Sequence, residues 1–141
     1  EQLEDIIVPA FEDERGAISN ILSGIEIRHI AIITSKKGSI RGNHWHPDQE
    51  QYIYVLEGEM DSWSRPINSS DGNVQQQRVQ AGDLLYCAPN IVHAYYALTN
   101  CEFLNIDSGI RGNFGEDTKP FVIMEMKDGQ LVVPQETLHV K

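Results

Sequence analysis

Two histidines two residues apart, His44 and His46 in the segment Arg41-Gly42-Asn43-His44-Trp45-His46, are the residues of this sequence best suited to chemistry. Side chains alternate along an extended strand, so positions two apart project from one face and both imidazoles enter the same space. Two such imidazoles can share a metal ion or a proton. A metal ion needs neutral imidazoles at ~2.0–2.1 Å and further ligands, which His93 from a distant segment and either Glu50 or Gln51 could provide. Gln51 offers a carbonyl oxygen without charge. The facing of Glu50 stays open, because the Pro47-Asp48 turn interrupts the alternation after His46.

The charge of the chain narrows the ligand. With 21 acidic against 11 basic residues and a formal charge of -10, no run of Lys and Arg could neutralise phosphates in series, which argues against nucleic acid as a partner. A small anion needs only local arginines, and Arg28, Arg41, Arg65 and Arg111 are the candidates. Taken singly each reads as a surface arginine; Arg41 stands apart because it adjoins the histidine pair and precedes Gly42. Trp45, Tyr52, Tyr54 and Trp63 could stack on a nucleotide base or simply pack, the commoner fate of strand aromatics. Tyr95 and Tyr96 are adjacent, so at most one points inward. His29 and His139 lie apart from these groups and read as structural, and Cys87 and Cys101 read as buried free thiols with no metal spacing.

The elements that must hold these residues are strands. Short β-rich runs recur at 25–34, 51–56, 59–63, 74–79, 83–87, 93–98, 102–106, 121–126 and 130–133, separated by Lys37-Gly38, Glu57-Gly58, Ala81-Gly82, Pro89-Asn90 and Asp128-Gly129. No long helical period and no internal repeat interrupts them, and the polar stretch 64–73 reads as an inter-strand loop. An all-β barrel or sandwich follows, with 1–141 read as a single domain, a length suited to one core. In the run 51–56 both faces are largely apolar, which predicts an outer cover from the N-terminal strand or a second subunit, and hence a homodimer. No apolar run approaches the ~18 residues that span a bilayer, so the expectation is a protein without membrane association, placed in the cytoplasm.

The middle of the chain resembles the cupin superfamily. Gly38 to Gly58, GSIRGNHWHPDQEQYIYVLEG, is similar to the first cupin motif, and Gly82 to Asn100, GDLLYCAPNIVHAYYALTN, to the second, in which a glycine, a proline and a histidine close the site. Asn90 and Ile91 follow Pro89 where the family usually has a nearby glycine, Ala97 replaces the asparagine that follows the histidine, and Gln51 stands where metal-binding cupins usually carry Glu. The opening Phe11-Glu12-Asp13-Glu14-Arg15-Gly16 and the RGNHWH segment look like those of nucleotide-sugar epimerases and 3,4-ketoisomerases of deoxysugar biosynthesis.

The resemblance implies a jelly-roll (double-stranded β-helix) barrel. It also implies an isomerase or epimerase of a nucleotide-linked keto-deoxysugar serving surface polysaccharide or glycoside biosynthesis. In such enzymes a base removes a proton beside a sugar ketone. His44 would be that base, His46 its orienting neighbour or partner acid, and Tyr95 or Tyr96 the donor to the developing oxyanion. Arg41, with Arg111 and Trp45, would bind the nucleotide portion. The alternative is a divalent ion (Zn, Mn, Fe or Ni) on His44, His46, Gln51 and His93, in a dioxygenase or lyase acting on a small acid. A barrel that binds a small molecule without turnover is a third reading.

Overall fold

The computed structural model describes residues 2–3, 9–68, 74–108 and 118–132. Among them lie fourteen strands and no helix: β1 Gln2–Leu3, β2 Phe11–Asp13, β3 Gly16–Ile18, β4 Ile27–Ser35, β5 Ile40–Trp45, β6 Glu50–Glu57 and β7 Glu59–Pro66, then β8 Gln75–Gln80, β9 Leu84–Cys87, β10 Ile91–Ala97, β11 Cys101–Ser108, β12 Lys119–Pro120, β13 Glu125–Lys127 and β14 Gln130–Val132. Two five-stranded sheets form, in the orders β1-β9-β6-β11-β4 and β12-β5-β10-β7-β8, and every pairing is antiparallel. From β4 to β7 successive strands fall in alternate sheets, and β9 to β11 repeat this, so the chain winds around a common interior. That winding is the jelly-roll architecture that the resemblance implies.

The interior is built by period-two alternation. Gln51, Ile53 and Val55 of β6, Tyr95 and Ala97 of β10, and Cys101 and Phe103 of β11 are buried, with Met60, Val79 and Leu85 completing the apolar end of the barrel. The remaining inward positions are polar and form the site.

The second sheet is covered on its outer face as well. Val92 and Ala94 of β10 pack with Ile67, Ile123 and Met124, flanked by Trp45, Trp63 and Phe121. The covering segment 121–124 is not the regular strand that its composition predicts; regular pairing starts only at Glu125. Its backbone is taken instead by one side chain: Asn43 Oδ1 accepts from Ile123 N at 3.0 Å and Met124 N at 3.1 Å, and Asn43 Nδ2 donates to Met124 O at 2.9 Å. A side-chain amide thus does what a neighbouring strand would otherwise do.

The first sheet is different. Leu56 of β6 is 42% exposed, with Ile30 and Ile32 of β4 at 54% and 64%. Among the described residues the N-terminal strand adds to the edge at β9 instead of covering this face.

Candidate functional site

The site is created by an irregularity in β5. Opposite β10, His44 pairs with His93 and Gly42 with Ala94, so Asn43 is one residue too many on its strand, a β-bulge. Asn43 has φ 57° and Gly42 φ 95°, and a Cβ on Gly42 would lie 2.8 Å from the His93 carbonyl oxygen. Only glycine fits there, both for backbone conformation and for space. The bulge changes what faces inward. Arg41 and His44, three apart, would point to opposite sides of a regular strand; here Arg41 sits opposite Tyr95 and His44 opposite His93, and all four line one cavity.

Three imidazoles converge in that cavity. His44 lies 4.9 Å from His46 and 4.7 Å from His93 between ring centroids, and His46 and His93 are 5.7 Å apart. Burial, and then the neighbouring His46, lower the His44 pKa from 6.5 to about 4. Burial also pulls His93 well below its ordinary value, with His44 and His46 adding to the effect. His44 and His93 are therefore neutral near pH 7. Cys87 Sγ approaches His93 Nδ1 at 2.7 Å, and Thr118 Oγ1 lies 3.4 Å from His46 Nδ1.

Around them the cavity, about 390 Å³, is walled by Gln51, Asn105 and Tyr95 and by apolar Ile33, Ile40, Ile53 and Phe103. The Arg41 guanidinium is fixed by the end of the preceding strand, β4: Nε donates to Ser35 Oγ at 2.9 Å and Nη2 to the Thr34 carbonyl at 2.7 Å. Those bonds leave donors on its outer edge for a ligand.

Of the residues singled out from sequence, His44, His46, His93, Gln51, Tyr95 and Arg41 come together here. Glu50 does not: it accepts from the Tyr86 hydroxyl at 2.5 Å, and the ambiguity with Gln51 resolves in favour of Gln51 as the cavity residue. Trp45 is a correction to the substrate-binding expectation, since it packs with the outer cluster behind the second sheet. Arg111 and His139 lie outside the described residues. Sequence reasoning missed Asn105, Asp107 and His29. Asp107 is buried, bonded to Gln51 and Asn105 and to His29, which had read as merely structural. Their signal was polar residues at alternate positions, Asn105 and Asp107, continuing the inward face of Phe103.

The donor set suits a divalent cation. The ligand atoms of His44, His46 and His93 lie within 4.8 Å of one another. Metal–nitrogen bonds of ~2.1 Å hold any two ligand atoms within about 4.2 Å, so modest side-chain rotation would close the set.

The sequence matches the Cupin domain family over residues 31–107. The chain belongs to the cupin family. No curated protein matches this cupin in sequence. Solved structures with the same fold include a 3,4-ketoisomerase from Helicobacter canadensis (18% identity, TM-score 0.65, covering 80% of this chain and 86% of that one). Another is the dTDP-6-deoxy-D-glucose-3,5-epimerase RmlC from Legionella pneumophila Philadelphia 1 in complex with dTDP-4-keto-L-rhamnose (18%, 0.61, 74% and 65%). A third is the capsular polysaccharide assembling protein CapF from Staphylococcus aureus (18%, 0.58, 82% of this chain), of which the cupin spans only 34%. At these identities the likeness is one of fold.

Proposed function

We propose that this cupin, as a single barrel domain, isomerises or epimerises a nucleotide-linked keto-deoxysugar in the cytoplasm, in the assembly of a surface polysaccharide or glycoside. The observation that carries the reading is an arginine fixed by backbone and hydroxyl bonds beside a neutral histidine in one cavity. Arg41 binds the pyrophosphate, and the cavity, within the usual range of ligand pockets, takes the sugar. His44 removes the proton beside the ketone, Tyr95 donates to the enolate oxygen, and His46 returns the proton. An imidazole with a pKa of about 4 is a weak base; the negative charge of a bound pyrophosphate raises it toward the useful range. Solved structures of the same fold support the substrate class, since one is a dTDP-deoxysugar epimerase in complex with dTDP-4-keto-L-rhamnose and another is a 3,4-ketoisomerase.

A second reading is favoured by the neutral imidazoles and by Gln51 beside them. His44, His46, His93 and Gln51 would hold Zn, Mn, Fe or Ni, which supplies Lewis-acid polarisation of a bound carbonyl. In that case His44 is a ligand and is no longer free to act as a base.

The experiment is solvent exchange. Metal-free and metal-loaded protein is incubated with 4-keto-6-deoxy nucleotide sugars in heavy water and followed by NMR. Exchange of ring protons by metal-free protein, lost in His44→Ala, is the expected result. Absence of exchange in both forms with several such sugars, at protein concentrations near that of substrate, defeats the sugar reading.

A further inference from the structure

Beside Gln51, directly opposite it on the neighbouring strand β11, stands a carboxylate. Asp107, 1% exposed near the end of β11, is approached by three donors: Gln51 Nε2 at 3.1 Å from Oδ1, Asn105 Nδ2 at 3.3 Å from both oxygens, and His29 Nδ1 at 3.0 Å from Oδ2. A carboxylate only accepts, so an amide beside it must present its NH2 group and turn its carbonyl away. For Gln51 the reverse orientation would set Oε1 against Oδ1, two acceptors in a buried site with no proton between them. Gln51 lines the cavity with His44, His46 and His93, and with Nε2 committed to Asp107 its Oε1 is the atom left to serve the cavity.

We propose that Asp107 is a positioning residue for cation binding. It locks the Gln51 amide with Oε1 toward the three imidazoles, and supplies from the neighbouring strand the negative charge that four neutral ligands lack. The carboxylate draws on the Gln51 NH2 group and so enriches the carbonyl oxygen, which makes a better ligand for a hard divalent ion. His29, half-buried and paired with Asp107 from strand β4, holds the carboxylate on the side away from Gln51. The site therefore carries its charge at position 107 and its ligand atom at position 51. The inference rests on the cluster taking up a cation and is independent of the sugar reading.

The test is a titration of metal-free, untagged protein with Zn²⁺ against a competing chelator, with His44→Ala/His46→Ala as the control for adventitious sites. Asp107→Asn, nearly isosteric, is expected to weaken Zn²⁺ binding by about 10- to 100-fold. The exchanged pair Gln51→Glu/Asp107→Asn is expected to recover it, because an amide at 107 can donate to a carboxylate at 51 whose second oxygen faces the histidines. Wild-type protein that takes up no Zn²⁺ through its histidines overturns the cation premise. Wild-type binding with Asp107→Asn within twofold of it, or an exchanged pair no better than Asp107→Asn, overturns the role of Asp107. Should Asp107→Asn fail to fold, the Gln51 side-chain NH2 of the wild-type chain decides by NMR: slow hydrogen exchange supports its engagement with Asp107, and fast exchange overturns it.

Discussion

His44 and His93 are buried as neutral bases, and that costs the protein stability in acid. In the unfolded chain each imidazole takes a proton near its ordinary 6.5; in the folded chain His44 does so only at about 4, and His93 is shifted the same way. Between those values the unfolded state binds more protons, so stability present above about pH 6.5 is lost as the pH falls toward 4. For metal-free protein we expect the denaturant midpoint to drop between pH 7 and pH 5. His44→Ala should flatten that drop, as read by urea titrations at both pH values. An unchanged slope in the variant would mean that other groups carry the acid sensitivity.

At the scale of the element, the bulge in β5 decides which side chains meet. Gly42 and Asn43 together turn Arg41 inward, and Asn43 also fastens the segment that covers the second sheet. Gly42→Ala adds a methyl 2.8 Å from the His93 carbonyl, at a φ of 95° that disfavours any side chain. A strained backbone position of this kind costs about 1–3 kcal/mol, which should appear in calorimetry as a Tm lower by several degrees. Arg41-dependent ligand affinity should fall with it, since β5 must move away from β10. The histidine pair and the strand periodicity were legible because they follow from types and spacing within short runs, and His93 because the segment around it resembles the second cupin motif. The bulge was not, because an extra residue shows only against the strand it pairs with. For the same reason Trp45 read as a ligand contact and 121–124 as a strand. The partner that removes each from that role, the outer cluster for Trp45 and the Asn43 amide for 121–124, is remote in sequence. Asp107 and His29 were hidden likewise, being 78 residues apart.

For the whole molecule the asymmetry between the two sheets has a consequence. One outer face is sealed by 121–124; the other leaves Ile30, Ile32 and Leu56 exposed beside half-buried Tyr52, Tyr54 and Leu104. A contiguous apolar face of this kind is the usual ground for self-association. We expect sedimentation equilibrium to give twice the 15.9 kDa of the chain, and Ile30→Asp/Ile32→Asp to return it to one chain. A wild-type protein that sediments as one chain would show that the face is tolerated bare.

The winding of the chain between the sheets also sets when the site can exist. His44 meets His93 only through the β5–β10 pairing, and Gln51 meets Asp107 only through β6–β11, each closing a loop of some fifty residues. Long loops close late and slowly, after local hairpins such as β7–β8 have formed. On a ribosome the first contact cannot form until β10 has emerged, nor the second until β11 has followed it. Until then the nascent barrel has no complete cavity that a cation or sugar could use to template its folding.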